Sequence, residues 1–438
     1  MDAFVIEGGH RLSGNLRVNG SKNASLPLMA AALLTDQPVE LRGVPRLADI
    51  ANMQRLLERL GCAAPRDDRT GALSLHTTDA SGDAAPYDIV RTMRASVCVL
   101  GPLLARRGRA RVAMPGGCAI GDRPIDLHLR GLEALGARIT LDSGDVIAEV
   151  PPSGRLRGAT MFLGGPSGPT VLGTANVMSA AALAEGVTVI ESAACEPEVV
   201  DLARLLNAMG ASVRGAGTPR IVIEGVESLG GASHEVIPDR IEAGTFLVMS
   251  AITNSGLVVE NVPLDALMAA SDTLARAGVE VRPIDASDPM RASVEVISDR
   301  VLRPVQITTQ PHPGFPTDLQ AQFMALLAIA DGNSVITERI YPQRFLHVAE
   351  LTRMGASIMR QGPTAIVSGV RELVGAPVMA SDLRASASLV LAALAARGTT
   401  TIRRVYHLDR GYERLEERLG ALGAKITRVD DREIDQAA

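Results

Sequence analysis

Aromatic residues are scarce in this 438-residue chain, which has no Trp, four Tyr and six Phe. Base-stacking platforms of the kind that hold single-stranded nucleic acid are therefore not expected. Positive charge is not in excess either, because 44 Lys and Arg stand against 49 Asp and Glu and give a net charge of −5. The chain lacks a basic field that would attract a polyanion. We expect no nucleic-acid partner, and an anionic ligand would need a local cluster of Arg and Lys.

Cysteine is equally sparse. The four cysteines, Cys62, Cys98, Cys118 and Cys195, lie far apart and form no C-x-x-C pair. This spacing argues against a disulfide scaffold and a zinc site, and it indicates a reduced compartment. The N-terminus lacks the charged and apolar regions of a secretory signal, and the longest apolar runs fall short of the roughly 18 residues of a membrane span. We expect a cytoplasmic protein with no membrane partner.

What the sequence does contain is an internal repeat. A Leu/Met-Gly-Ala-x-Val/Ile phrase, degenerate in places, recurs at intervals of 75, 74, 68, 77 and 68 residues, with its glycines at Gly61, Gly136, Gly210, Gly278, Gly355 and Gly423. Amphipathic helical patterns precede the phrases, so each glycine is predicted to end a helix in a left-handed cap. Alanine-rich helices that lead into β-branched strands interleave with these phrases. The pattern predicts six α/β units of about 70 residues, which must pack together because one unit cannot bury its own apolar face.

Six such units can form one ring or two groups of three. The segment 228–234, which follows the third copy, is polar and rich in glycine and is the best place for a break. This break favours two similar lobes, and ligand sites occur preferentially between domains.

Common nucleotide-binding and hydrolase motifs are missing. The segment Gly168–Thr174 has no Lys where a P-loop requires one, and no G-x-S-x-G elbow is present. His347 and Glu350 would lie one helical turn apart, but no third metal ligand is near in sequence. A solvated helix face is the favoured interpretation of this pair, and no metal site is predicted.

Three reactive side chains stand instead beside glycine, proline or small residues. Lys22 lies where a helix begins, a position that favours anions, although a simple capping segment explains the same residues equally well. Cys118 lies in a loop with three glycines and two prolines, five residues before Arg123, a setting that favours thiolate. Asp318 follows a rigid Pro-rich approach and suits either a helix cap or a general base.

Three arginines lie in short polar phrases: Arg344, Arg384 and Arg410. One surface arginine means little. Several of them in a chain of net charge −5 indicate a site for a ligand that carries phosphate and carboxylate groups.

Taken in order along the chain, these phrases resemble the UDP-N-acetylglucosamine 1-carboxyvinyltransferase family. The similarity runs nearly end to end and is carried by residues 21–27, 115–124, 238–246, 315–322 and 382–388. The resemblance implies the enolpyruvyl transferase fold, a two-domain inside-out α/β barrel in which each domain has three similar units. In that fold the first residues return to the second lobe. The expected domains are therefore 22–232, which carries the Cys118 loop, and 1–21 together with 233–438.

The resemblance also implies a reaction. The enolpyruvyl group of phosphoenolpyruvate moves to the 3-hydroxyl of UDP-N-acetylglucosamine and phosphate is released, which is the first committed step of peptidoglycan synthesis. Phosphoenolpyruvate and the UDP-sugar are then the partners, and no metal or organic cofactor is implied.

Site residues are carried over one by one from the family. Lys22, Arg123 and Arg410 match its clamp on phosphoenolpyruvate. Asn23 matches a contact beside the clamp, and Arg344 and Arg384 match further active-site arginines. Asp318 matches the carboxylate near the 3-hydroxyl that is proposed to take its proton. Cys118 matches the loop cysteine that protonates the methylene carbon or forms an adduct. The catalytic residues implied are thus Lys22, Cys118, Asp318 and Arg410.

Contacts to the UDP-sugar are implied for four parts of the chain. The matching positions are Arg94, Arg123, Pro124, Ile125, Asp126, Leu127, Gly168, Pro169, Thr170, Val171 and Ile340. The segment 168–174 departs from the family pattern, because its first side chain is gone, Thr replaces Ser and Leu-Gly replaces Gly-Ala. We therefore expect backbone groups to make the contacts there.

Two other functions fit the same fold. 5-Enolpyruvylshikimate-3-phosphate synthase shares the chemistry but uses a shikimate phosphate and lacks the Pro-Gly-Gly-Cys loop. A catalytically silent paralogue that binds UDP-sugar is the second alternative. Cys118 argues against the first alternative, and the presence of Lys22, Cys118 and Asp318 together argues against the second.

Overall fold

The computed structural model describes residues 2–115, 124–298 and 301–432. It divides into two compact units, which we call the first lobe (20–115 and 124–237) and the second lobe (2–19 and 238–432). Cys118 and Arg123 lie outside the described residues. The lobe boundary lies later in the chain than the expected position after residue 232. The reason is that the strand Ala232–Glu235 pairs with Val39–Arg42 and so remains in the first lobe.

The first lobe alternates short helices and strands. Its helices are Lys22–Ala31, Ala48–Arg59, Tyr87–Val90, Leu100–Arg107, Asp126–Ala134, Val171–Ala181 and Pro197–Ala208, with 3-10 turns at Ala32–Leu34 and Arg94–Val99. Its strands are Val39–Arg42, Cys62–Ala63, Leu73–Thr77, Ala84–Ala85, Arg109–Ala113, Arg138–Asp142, Asp145–Glu149, Thr160–Phe162, Gly164–Gly165, Gly168–Pro169, Val187–Glu191, Ser212–Arg214, Arg220–Glu224 and Ala232–Glu235.

The second lobe is built from the same kinds of element. Its helices are Arg240–Ile252, Met268–Arg276, Gln320–Leu327, Leu346–Arg353, Ala385–Ala395 and Leu415–Ala421, with 3-10 turns at Leu264–Leu267, Thr317–Leu319 and Val405–His407. Its strands are Asp2–Glu7, Asn15–Arg17, Val258–Val262, Val279–Asp285, Ala292–Ser298, Gln306–Thr308, Asn333–Thr337, Ser357–Gln361, Thr364–Ser368, Pro377–Met379, Thr399–Arg403 and Lys425–Asp430.

Within the described ranges, each lobe contains three four-stranded sheets. All six sheets share one pairing pattern, in which one edge strand runs parallel to its neighbour and the other two pairs are antiparallel. The N-terminal strand Asp2–Glu7 lies between Thr399–Arg403 and Lys425–Asp430. The strand Asn15–Arg17 pairs with Val258–Val262. The start of the chain therefore completes two sheets of the second lobe.

Five helices are buried over nearly their whole circumference: Lys22–Ala31, Val171–Ala181, Arg240–Ile252, Gln320–Leu327 and Ala385–Ala395. In the second lobe three of them pack against one another. The helices between successive sheets bury only one face, as their amphipathic sequence patterns predict. Helices thus form the centre of each lobe, and this arrangement buries polar side chains that lie on the central helices.

The six glycines of the repeated phrase all have left-handed backbone angles, from a φ of 77° at Gly61 to 103° at Gly210. A residue without Cβ adopts this conformation at little cost, and it ends the preceding helix before the next strand begins. The predicted glycine caps are confirmed. None of the described helices is both long and apolar enough to cross a membrane.

Candidate active site

Asp318 and Arg344 form an ion pair in the second lobe. Asp318 lies in the 3-10 turn Thr317–Leu319, and Arg344 Nη1 donates to its Oδ1 at 2.6 Å. The Asp318 side chain is 27% exposed, whereas that of Arg344 is 6% exposed. The turn can sit close to the helix Arg240–Ile252 because Gly244 faces Leu319. A Cβ on Gly244 would lie 2.5 Å from Leu319 Cδ1.

Electrostatics in this pair make Asp318 a weak proton acceptor. Burial alone raises the pKa of Asp318, but the guanidinium groups of Arg344 and Arg384 outweigh that effect and hold it well below its usual range. No helix N–H is capped by the Asp318 side chain, because the turn and the following helix have no side-chain cap. Of the two interpretations of this residue, the structure gives no support to the cap.

Asp382 joins Arg344 to Arg384. Its carboxylate accepts from Arg344 Nε at 3.0 Å and Nη2 at 3.3 Å, and from the backbone N–H of Arg384 at 2.7 Å. The Arg384 guanidinium donates to Asp239 Oδ2 at 2.7 Å. Burial raises the pKa of both aspartates, but the adjacent guanidinium groups hold it below the usual value. Two buried arginines are therefore fixed by two buried carboxylates.

The segment that carries Arg410 is held by the same network. Arg384 Nη1 donates to the carbonyl of Gly411 at 3.2 Å, and its guanidinium lies 5.2 Å from the ring centre of Tyr412. Asp409, on the other side of Arg410, accepts two hydrogen bonds from Arg428 at 2.6 and 3.0 Å. The second lobe thus brings the neighbourhood of Arg410 together with Asp318, Arg344 and Arg384.

His347 is buried beside this network rather than solvated. The residue is 1% exposed, and neither ring nitrogen has a hydrogen-bond partner among the residues that the structure describes. The predicted solvated helix face is therefore wrong at His347, since the helix Leu346–Arg353 turns this residue inward. Burial lowers the pKa of His347 to about 4, so the imidazole is neutral near pH 7.

Replacement of His347 by Phe is expected to weaken the loss of stability in acid. Between pH 6.5 and about 4 the unfolded chain binds a proton at His347 that the folded protein does not bind. Stability therefore falls with falling pH by about 1.4 kcal/mol per unit for this one group. Urea unfolding at several pH values in this range gives the free energy of unfolding as a function of pH. The slope of that free energy against pH should be smaller in the variant by about 1.4 kcal/mol per pH unit. His312, whose pKa is also lowered to about 4 by burial, contributes to both proteins and cancels. Equal slopes would contradict the assignment.

Lys22 is a buried cation of the first lobe, more buried than Arg94. It is the first residue of the helix Lys22–Ala31, is 7% exposed and places Nζ 3.2 Å from Asp49 Oδ2. Ser21 caps the helix by accepting from Ala24 N at 3.2 Å. The cap and the cation are thus separate residues, and Lys22 is not the exposed lysine of a simple capping segment. Asn23 follows it and is half-buried.

The three segments of the first lobe that are implied to contact the UDP-sugar are connected by Asn176, a buried residue of the helix Val171–Ala181. Its Nδ2 donates to the carbonyl of Val97 at 2.9 Å, in the 3-10 turn that begins with Arg94. The same amide nitrogen lies 2.9 Å from His128 Nδ1, in the helix that begins at Asp126. Its helix is itself capped by Thr170, which accepts from Gly173 N at 3.2 Å.

The strand pair Gly164–Gly165 and Gly168–Pro169 lies against the helix Asp126–Ala134. Arg130 donates to the carbonyl of Gly164 at 2.8 Å, and a Cβ on Gly165 would lie 3.0 Å from Leu127 Cδ1. Four other positions implied to contact the UDP-sugar lie at the start of this helix or next to the strand pair. Pro124 and Asp126 are exposed, Ile125 is buried, and Val171 is half-buried.

Several residues that hold these segments were not predicted as site residues: Asp49, Arg130, Asn176, Asp239, Glu338 and Asp382. Each has at least one hydrogen-bond partner that is distant in the chain, and nothing in the phrases that contain Asp239 and Asp382 indicates these contacts. Among the described residues no group of three His, Cys, Asp or Glu side chains is placed to hold a metal ion.

Comparison with known proteins agrees with this architecture. Residues 6–419 match the sequence model of the EPSP synthase (3-phosphoshikimate 1-carboxyvinyltransferase) family. Among solved structures, the enolpyruvyl transferase NikO from Streptomyces tendae is 28% identical with a TM-score of 0.86, over 98% of this chain and 99% of that chain. EPSP synthase from Acinetobacter baumannii is 20% identical with a TM-score of 0.74, over 98% and 100%. The chain has the enolpyruvyl transferase fold, as the resemblance implied.

Curated relatives are closer. UDP-N-acetylglucosamine 1-carboxyvinyltransferase from Anaeromyxobacter dehalogenans is 56% identical over 432 residues, 98% of this chain and 100% of the relative. The protein of the same name from Akkermansia muciniphila is 51% identical over 434 residues, 98% and 99%. Fold and sequence thus define a carboxyvinyltransferase of the EPSP synthase family. Within that family, the chain belongs to the UDP-N-acetylglucosamine 1-carboxyvinyltransferases.

Proposed function

We propose that this protein transfers the enolpyruvyl group of phosphoenolpyruvate to the 3-hydroxyl of UDP-N-acetylglucosamine and releases phosphate. The observation that carries the proposal is the identity of 51–56% to proteins of that activity's name over 98% of the chain. The reaction is the first committed step of peptidoglycan synthesis, and we place it in the cytoplasm, in agreement with four cysteines that form no C-x-x-C pair.

Asp318 is the proposed base for the sugar hydroxyl. Its carboxylate takes the proton of the 3-hydroxyl while the hydroxyl oxygen forms a bond to C2 of phosphoenolpyruvate. Arg344 holds the pKa of this carboxylate low and so makes it a poor base. A phosphate or carboxylate group of the substrate that takes over the Arg344 hydrogen bond would restore its basicity, because an opposite charge lowers a carboxyl pKa only while it is close.

Cys118 is the proposed acid for the methylene carbon. Addition of a proton at C3 and of the sugar oxygen at C2 gives a tetrahedral intermediate. Loss of a proton from C3 and cleavage of the bond between C2 and the phosphate oxygen then restore the double bond and release phosphate. Lys22, Arg123 and Arg410 would neutralise the phosphate as it leaves, which is a form of electrostatic catalysis.

The UDP-sugar is proposed to contact Arg94, residues 123–127, residues 168–171, Asp318 and Ile340. The Thr170 hydroxyl caps its helix. Nucleotide recognition in this segment is therefore assigned to backbone N–H groups at the helix start, which suit a diphosphate.

Phosphate release tests the proposed function. The protein is mixed with phosphoenolpyruvate and either UDP-N-acetylglucosamine or shikimate 3-phosphate. We expect release with the UDP-sugar only, together with a product heavier than the UDP-sugar by one enolpyruvyl group. Release with shikimate 3-phosphate alone would assign the protein to the other branch of the family. Release with neither acceptor would contradict the transferase.

A further inference from the structure

Glu338 is a fully buried carboxylate in the second lobe that no sequence motif singles out. It directly follows the strand Asn333–Thr337 and is 0% exposed. Its Oε1 accepts from the Thr309 hydroxyl at 2.6 Å and from the backbone N–H groups of Ile340 at 2.8 Å and Tyr341 at 3.0 Å. Its Oε2 accepts from the Thr317 hydroxyl at 2.9 Å. One carboxylate therefore joins the segment of Asp318 to the segment of Ile340.

The direction of both threonine protons is fixed by other donors. Thr317 Oγ1 also faces Arg344 Nη1 at 3.2 Å, and Thr309 Oγ1 faces the backbone N–H of Arg339 at 2.8 Å. A guanidinium and an amide N–H can only donate hydrogen bonds, so each threonine hydroxyl must direct its own O–H toward Glu338 and donate a hydrogen bond to it. The Glu338 carboxylate thus accepts in all four contacts. An NH2 group in place of Oε2 would face a donor unless the Thr317 hydroxyl turned, and in place of Oε1 it would face the two backbone N–H donors.

The Thr317 hydroxyl links Glu338 to Arg344, and Arg344 in turn contacts the proposed base Asp318. Arg344 Nη1 donates both to Thr317 Oγ1 and to Asp318 Oδ1. Because the Thr317 O–H points toward Glu338, the lone pairs of Thr317 Oγ1 remain available to accept from Arg344. The guanidinium is thereby kept in a single position beside Asp318. We propose that Glu338 is a positioning residue for the transfer reaction, which orients Asp318 and Arg344 through the Thr317 hydroxyl. This inference rests on the proposed role of Asp318.

Glu338→Gln is the decisive change, because the amide has a preferred orientation. Its oxygen should remain at the Oε1 site, where three donors converge, so its NH2 group should face Thr317. The Thr317 hydroxyl would then accept from the amide and turn its proton toward Arg344, where two donors meet. Contacts to Ile340 and Tyr341 would survive. We expect kcat to fall roughly ten- to hundredfold, in line with the cost of a misplaced reacting group, and KM for the UDP-sugar to stay within about twofold, since that contact is unchanged.

Three further variants and one matched control distinguish a positioning role of Glu338 from a merely structural one. Thr317→Val should lower kcat by a similar factor, whereas Thr317→Ser, which keeps the hydroxyl, should retain most activity. Thr309→Val removes a hydrogen bond from the other carboxylate oxygen and should leave kcat close to the wild-type value. Glu372→Gln makes the same chemical change at an exposed glutamate of the same lobe, paired with Arg397 at 3.2 Å, and is the matched control.

A double-mutant cycle completes the test. Since Glu338 acts through Thr317, the combination of Glu338→Gln with Thr317→Val should cost no more kcat than either change alone. Unchanged kcat in Glu338→Gln, or losses that multiply in the double variant, would overturn the proposal. If Glu338→Gln does not fold, equal losses of kcat in Thr317→Val and Thr309→Val would overturn it, and a loss confined to Thr317→Val would support it. Failure of the wild-type protein to release phosphate would instead refute the proposed function.

Discussion

Asp318→Asn is expected to lower kcat for phosphate release by about two to four orders of magnitude, the range that general base catalysis contributes. The amide is nearly the same size as the carboxylate but cannot take the proton of the 3-hydroxyl. Folding should be preserved, because Arg344 keeps both of its hydrogen bonds to Asp382. Release of phosphate at saturating phosphoenolpyruvate and UDP-N-acetylglucosamine, measured beside thermal unfolding, gives the two quantities needed.

Asp331→Asn is the matched control for this substitution. Asp331 is exposed and lies just after the central helix that follows Asp318, so the same loss of charge occurs in the same lobe without touching the network. Its turnover should equal that of the wild type. Near-normal turnover by a folded Asp318→Asn protein would remove Asp318 from the role of base, even if UDP-sugar binding were weakened.

The architecture was predictable because its signals are local. Each amphipathic helix that ends at a left-handed glycine has the same short sequence motif, which occurs six times in the chain. All six glycines adopt the predicted conformation. Two of the central helices, Val171–Ala181 and Ala385–Ala395, were visible as alanine-rich runs, since small side chains permit close packing from all sides. The position of the strand Ala232–Glu235 was not predictable in the same way. It depends on pairing with Val39–Arg42, almost the whole lobe away in sequence.

The cations of the candidate site were easier to predict than the groups that hold them. Arg344 and Arg384 stand in short polar phrases and can be noticed as charges without obvious surface roles. Their partners Asp239 and Asp382 resemble ordinary helix caps in sequence, and Asp239 does cap the helix Arg240–Ile252. Only the fold shows that the Asp239 carboxylate also lies 2.7 Å from Arg384, far along the chain.

Buried neutral groups were the least predictable. His347 lies in a helix whose charged residues indicate a solvated face, yet both of its ring nitrogens are buried without partners. Asn176 gives no signal either, because an amide within an alanine-rich helix has no motif. Its role is evident only when Val97 and His128 are seen within hydrogen-bond distance of one side chain. The sequence pattern identifies the charged residues that are proposed to contact the ligands, whereas the groups that orient them are evident only from tertiary packing.

Cys118 is expected to be the single site of covalent inactivation by a small phosphonate epoxide such as fosfomycin. The phosphonate would occupy the proposed phosphate clamp of Lys22, Arg123 and Arg410 and present the epoxide carbon to the sulfur. The thiolate would attack that carbon, and the epoxide oxygen would take a proton as the ring opens. The thiol stands in a glycine-rich loop near Arg123 in sequence, and a nearby cation favours the nucleophilic thiolate. UDP-N-acetylglucosamine should accelerate the labelling.

The other three thiols are poor competitors for the epoxide. Cys62 and Cys98 are buried in the first lobe, and burial raises the pKa of Cys62 and raises that of Cys98 to about 12. The pKa of Cys195 is also raised, first by burial and then by the charge of Glu196. A thiol that remains protonated near neutral pH does not attack an epoxide at a useful rate. Selectivity should therefore be nearly complete.

Intact mass and peptide mapping decide the point. One adduct per chain at Cys118 is expected, with activity lost in proportion to labelling. Cys118→Asp keeps an acidic group, and it should retain part of the turnover while resisting the epoxide. Cys118→Ser should resist it as well but turn over poorly, because a hydroxyl is too weak an acid to protonate the methylene carbon. Adducts at Cys62, Cys98 or Cys195, or epoxide inhibition that persists in Cys118→Asp, would show that the phosphate clamp does not deliver the ring to this sulfur.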